Sequence, residues 1–170
     1  MVKNLCKAIL SVLLLFTTHS LLAQDVIKQQ SCEGGNPYQH VVDSLKTLYT
    51  AQGYTVLREA SMVMESEYEM PIVMPMNQGT GYQFIFIGDP TSRLYEVRMY
   101  DWNEKQVVYK RNQWGDIDGN IVSYTYVPQF TEYHMIKPVQ INKKKKKLCG
   151  YVMLLKKSGP GDQQQGRSTK

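Results

Sequence analysis

After Gly53 the spacing of apolar residues changes from about 3.6 to about 2, and it stays near 2 as far as Lys157. A stretch that alternates for so long cannot bury its apolar side chains as helices, so everything beyond Gly53 is expected to be β-structure. Before that point one amphipathic helix is expected over 37–52. Asn36 caps it, Pro37 takes the first helical position, and Tyr38, Val41, Val42, Leu45, Leu48 and Tyr49 recur at helical spacing. Gly53 supplies the stop.

Strands are expected over 54–65, 69–76, 81–88, 93–101, 106–111, 121–127, 131–141 and 148–155. Pro71 and Pro75 remove ladder donors and place the second strand at an edge. The segments 81–88 and 148–155 are apolar on both faces, as central strands are. Within 93–101, Tyr95, Val97 and Met99 should face inward. Within 131–141, Tyr133, Met135, Val139 and Ile141 should face one way, with Glu132 and His134 on the polar side. The turns at 102–104 and 116–120 read as hairpin connections. The fold expected is mainly β, a single sandwich or jelly roll of about eight strands with one N-terminal amphipathic helix.

The first 23 residues have the three-part pattern of a secretory signal peptide: Lys3 and Lys7, an apolar run from Ala8 to Phe16, and small-residue spacing for cleavage after Ala23. The run is too short to span a membrane, so no stable insertion is expected after cleavage. Cys6 precedes the apolar run and so does not signal a lipid anchor. The expected organisation is a signal peptide over 1–23, an extended lead-in over 24–35, the helix and sandwich over 36–157, and a disordered tail over 158–170. The protein is then exported, to the periplasm or out of the cell. Cys6 leaves with the leader, and Cys32 and Cys149 remain as one pair for a disulfide in an oxidising compartment, the alternatives being free thiols or intermolecular pairing.

Charge is distributed unevenly. Residues 24–142 carry 9 basic and 14 acidic side chains, whereas residues 143–170 carry 9 basic and one acidic. The basic character therefore belongs to the end of the chain. Lys143, Lys144, Lys145, Lys146 and Lys147 form a run read as a hairpin loop. It is suited to an acidic protein, anionic polysaccharide or lipid phosphates, or else is a solvated loop that deters edge association; export makes nucleic acid an unsuitable partner.

No zinc spacing, nucleophile elbow, phosphate loop or dinucleotide fingerprint is present, and no cofactor or metal is expected. His40 and His134 read as surface or boundary residues. Glu65, Glu67 and Glu69 would share one face of an extended stretch, as a cation-binding row or as a solvated edge. Asp116, Asp118 and Asn120 resemble the start of a calcium loop, but Gly119 falls at the wrong position, which favours a turn. Trp102 and Trp114, both at turns, are the first candidates for stacking on a sugar, packing at the sandwich rim being the alternative.

The stretch from Tyr82 to Tyr109, with YQFIFIGD followed by LYEVRMYDWNEKQVVY, resembles the middle strands of small exported β-sandwiches related to bacterial pre-peptidase C-terminal domains. The leader ending in LLAQ and the KKKKKLCGYVMLLKK close resemble secreted Bacteroidota proteins without a defined reaction. The resemblance implies a sandwich and transfers no catalytic residue. These readings converge on an exported non-enzymatic protein that binds an envelope protein or polysaccharide through Trp102, Trp114 and Lys143 to Lys147. A carbohydrate-binding module is the first alternative. A hydrolase is the second, and would need a concave site holding at least two of Glu65, Glu67, Glu69, Asp101, Asp116 and Asp118.

Overall fold

Alternation from Gly53 onward resolves into eight antiparallel strands in a computed structural model that describes residues 31–32 and 37–159. The elements are α1 (Gln39–Ala51), β1 (Tyr54–Glu65), β2 (Ile72–Met76), β3 (Tyr82–Ile87), β4 (Leu94–Tyr100), β5 (Gln106–Gln113), β6 (Ile121–Tyr126), β7 (Glu132–Ile141) and β8 (Lys147–Lys157). They form two four-stranded sheets, ordered β1-β8-β3-β6 and β2-β7-β4-β5. Among the described residues the chain adopts the mainly β sandwich with one helix. Residues 1–30, 33–36 and 160–170 lie outside the described residues, and with them the leader, most of the lead-in, nearly all of the tail and the Asn36 cap.

The core lies between the sheets, where Met62, Met64, Phe84, Phe86, Tyr95, Val97, Met99 and Ile136 are buried. A second apolar layer covers the outer face of the β1-β8-β3-β6 sheet, where Tyr38 and Val42 of the helix region pack on Ile85, Ile87, Tyr151, Met153 and Leu155. This layer explains why β3 and β8 are apolar on both faces: one face meets the opposite sheet and the other meets α1. Gly150 keeps β8 close to its neighbours, since a Cβ there would sit 2.6 Å from Met64 Sδ. Gly53, at φ +78°, turns the chain from α1 into β1. The helix begins two residues later than expected, with Tyr38 at its cap and no side-chain capping bond.

Cys32 and Cys149 are joined, with Cα atoms 5.7 Å apart. Cys32 Sγ lies 3.4 Å from the Met62 carbonyl, so the bridge pins Cys32 to the β1-β8 pair.

Three expectations need correction. The inward row of β7 is the opposite one: His134, Ile136 and Gln140 are buried, while Tyr133 is 53% exposed. Hydropathy misassigns the faces because Gln140 and the Nε2 atom of His134 have specific partners. Gln140 Oε1 accepts from the Asp89 amide (2.7 Å) and Ser92 Oγ (3.3 Å), and its Nε2 donates to Cys149 O (3.2 Å). His134 Nε2 and the Tyr126 hydroxyl are 3.1 Å apart. Next, the connections β5–β6 and β7–β8 are not hairpins, because each crosses from one sheet to the other; among the described residues only the turn at Trp102 joins paired strands, β4 and β5. Finally, Glu65, Glu67 and Glu69 form no extended row. Glu67 adopts φ +74°, and Tyr68 N donates to Glu65 O, so the chain turns there.

Burial gives the core tyrosines a consequence for pH. The Tyr95 hydroxyl donates to Asp89 O (2.8 Å) and Ser92 O (2.9 Å), and burial, with the Asp89 charge adding to it, pushes its pKa up to about 12. Burial also raises Tyr38, Tyr124 and Tyr151 above the ordinary phenol range. Each is raised relative to an unfolded value of 10.0, so the stabilisation is complete below that pH and is lost as pH climbs through the folded value. The melting temperature should hold steady up to about pH 9.5 and fall between about pH 10 and 12. A flat melting temperature across that window would contradict the burial of these hydroxyls.

Candidate functional site

Strands β1 and β2 are each the last strand of their sheet, and among the described residues neither has a second strand neighbour. Between them opens a groove of about 770 Å³. Its floor is core: Met62, Met74, Phe84, Ile136, Val152 and Leu154. Its rim includes Arg58, Glu65, Tyr68, Glu69, Val73 and Lys147. Tyr68 and Val73 are large and exposed, as are Val56 and Leu57 further along β1. An apolar trench with a charged rim is the form of a binding surface, since the exposed Tyr68 and Val73 at its mouth gain by being covered.

Charges at the rim are mostly committed. Glu69 pairs with Lys137 (2.8 Å) and Arg98 (3.3 Å), and Arg98 also pairs with Glu96. Hydrogen bonding to Glu69 raises Lys137 above the usual lysine range. Burial pulls Glu59 upward, but hydrogen bonds from Lys46 and Tyr151 and the Lys46 charge outweigh it and hold that carboxyl below its ordinary value. Arg58 has no carboxylate beside it among the described residues; its Nη1 reaches across the mouth to within 3.8 Å of Met74 Sδ.

The residues named from the sequence fall in three places. Trp102 and Trp114 stand at opposite ends of β5, 70% and 74% exposed, so they form no common site. Trp102 lies beside the exposed Tyr133, ring centroids 6.3 Å apart, whereas Trp114 borders a small depression of about 180 Å³ with Pro90, Gly119 and Asn120. Lys143 to Lys147 are all exposed where β7 crosses to β8, and Asn142 shapes their turn by accepting from the Lys144 and Lys145 amides. Lys145 is 3.8 Å from Asp89, and Ser66 N donates to Lys146 O, which sets the lysine run against the Glu65 end of the groove.

His40 is exposed on α1. Among the described residues no three His, Cys, Asp or Glu side chains are grouped to hold a metal, and no helix is long and apolar enough to cross a membrane. Glu65 and Glu69 do both line the groove, as the carboxylate reading required. Glu69 is engaged by two cations, however, which leaves Glu65 without a second uncommitted carboxylate beside it. The groove itself escapes sequence reading. The prolines mark β2 as an edge, but nothing local says that β1 is the edge above it.

No protein-family model matches the sequence, and no curated protein matches it. Among solved structures, one described as CBM4 is 14% identical with a TM-score of 0.40, over 61% of this chain and 78% of that one. The K3 cleaved adhesin domain of Lys-gingipain from Porphyromonas gingivalis is 13% identical with a TM-score of 0.38, over 59% and 74%. Carbohydrate-binding modules of the β-sandwich superfamily give 12% and 0.34, over 59% and 54%. Likeness of this extent carries no functional argument, and the sandwich is read from the chain's own sheets.

Proposed function

We propose that this chain is an exported, non-enzymatic β-sandwich protein that binds a protein partner in the cell envelope or outside the cell. The groove between the β1 and β2 edges carries the reading: its floor is core-like and apolar, and its open mouth is bordered by exposed Tyr68 and Val73. The leader pattern of residues 1–23 and the Cys32–Cys149 bridge support export. The lysine run at one end would favour an acidic partner.

Crosslinking in the native envelope, followed by mass spectrometry, tests this. A reproducible partner crosslinked at Tyr68, Val73 or Lys143 to Lys147 is expected; recovery of uncrosslinked monomer alone would overturn it. A polysaccharide-binding reading is favoured by one separate observation, the exposed Trp102 and Tyr133 rings side by side. It requires that Trp102→Ala abolish retention on a polysaccharide gel while the fold is kept. Trp114→Ala should then have no effect, because that ring is at the other end of β5.

A further inference from the structure

Among the described residues the groove has two unpaired edges, and they are not equivalent. In an antiparallel strand alternate residues turn their amide toward the neighbouring strand and away from it. A proline paired within such a strand must present its nitrogen on the outer side. Pro75 lies opposite Tyr133 in the β2-β7 register, so the outward positions of this edge are 75, 73 and, continuing the period, 71. Two of those three are proline, which leaves Val73 as the only donor. The β2 edge is therefore closed to strand pairing.

Among the described residues the β1 edge is open. Ser66 N donates to Lys146 O, and the β1-β8 register continues from there with Glu65 opposite Lys147. Stepping by two, Met64, Met62 and Ala60 direct their backbone toward β8, and Glu65, Ser61, Val63 and Glu59 direct theirs outward. None is proline or glycine. The bulge between Val56 and Arg58 ends the regular edge, so about eight residues, from Arg58 to Glu65, are available over roughly 26 Å.

We infer that, within the protein-binding reading above, the partner contributes an extended segment that adds as a strand to the free edge of β1. Alternate apolar side chains of that segment descend onto Met62, Met74, Phe84 and Leu154, and acidic residues flank it. The first property follows from the backbone groups that β1 leaves unpaired and from the period of 2 of any strand laid along it. The second follows from the floor, where flexible methionines accept varied side chains. The third follows from charge: Arg58 is at one end and the run Lys143 to Lys147 is at the other. Blocking of β2 makes the arrangement one-sided, with one strand received and the sheet extended once.

Selection of a displayed library of peptides about ten residues long on the whole mature chain tests this. The enriched sequences should alternate apolar and polar residues and carry acidic ends. The best synthetic peptide should bind the protein saturably. Methylating alternate backbone nitrogens on it should weaken binding by roughly tenfold or more, and Arg58→Glu should weaken an acidic-ended peptide but not a lysine-ended one. Ser61→Pro, which removes only an outward donor, should act like the methylation; the peptide modification keeps the test valid if that variant fails to fold.

Failure to enrich any peptide, or equal binding by methylated and unmethylated forms, overturns strand addition. The binding reading has its own readouts in the envelope crosslink and in retention on polysaccharide through Trp102. If those persist while the peptide results fail, only the strand mechanism falls; if all fail, the binding reading falls as well.

Discussion

Replacing Cys32 and Cys149 together by serine should lower the stability of the folded chain by about 4 to 5 kcal/mol, the largest single effect expected in this protein. The two cysteines are 117 residues apart in sequence, so the bridge closes a loop that contains α1 and β1 to β7. In the unfolded chain such a closure removes many conformations, and the loss on cutting it grows with the logarithm of loop length. The native side of the balance adds to this. Cys32 is buried, and the Tyr38 hydroxyl donates to the Cys149 carbonyl (2.8 Å), so the bridge and the start of the helix are held at one point on β8. Guanidinium unfolding of the double variant, compared with the oxidised parent, measures the difference. The parent under a strong reductant should approach the variant. A change below about 1 kcal/mol would mean that the segment before α1 contributes nothing to the folded state.

Strand positions were legible because alternation is local. The segment 54–65 was read without error, and the other seven strands differ from expectation by a few residues at their ends. The edge position of β2 followed from Pro71 and Pro75, and the central positions of β3 and β8 followed from their two apolar faces. What alternation does not encode is which sheet a strand joins. The five lysines and the turn around Gly119 both look like hairpin loops, because a polar turn between two strands has the same composition whether the chain returns to the same sheet or crosses to the other. The groove is hidden for this reason: it exists because β1 and β2 end up as superposed edges, a property of the strand order. The reversed faces of β7 have a different cause. A residue's hydropathy ranks it by its cost when unpartnered, and Gln140 is not unpartnered.

Gln140 is the site of the second large effect. Its side chain spans the sandwich at the loop end, accepting from the Asp89 amide and donating to the Cys149 carbonyl, and so ties the β3–β4 connection to β8 through β7. It is fully buried. Gln140→Met keeps nearly the same volume and removes the bonds to Asp89, Ser92 and Cys149; the Asp89 amide then loses its acceptor, whereas the Cys149 carbonyl keeps the Tyr38 hydroxyl as a donor. For one buried donor left unsatisfied, the loss should be about 1 to 3 kcal/mol. Gln140→Glu distinguishes the mechanism. A carboxylate still accepts from the Asp89 amide but cannot donate to Cys149, and it places a charge in the core, so it should be at least as destabilising as methionine near neutral pH and should recover partly in acid, where the carboxyl is protonated and can donate. Amide exchange at Asp89 gives the local readout. It should accelerate in the methionine variant and stay protected in the acidified glutamate variant. Unfolding midpoints for Gln140→Met within about 0.5 kcal/mol of the parent would show that the loop end is held by packing alone.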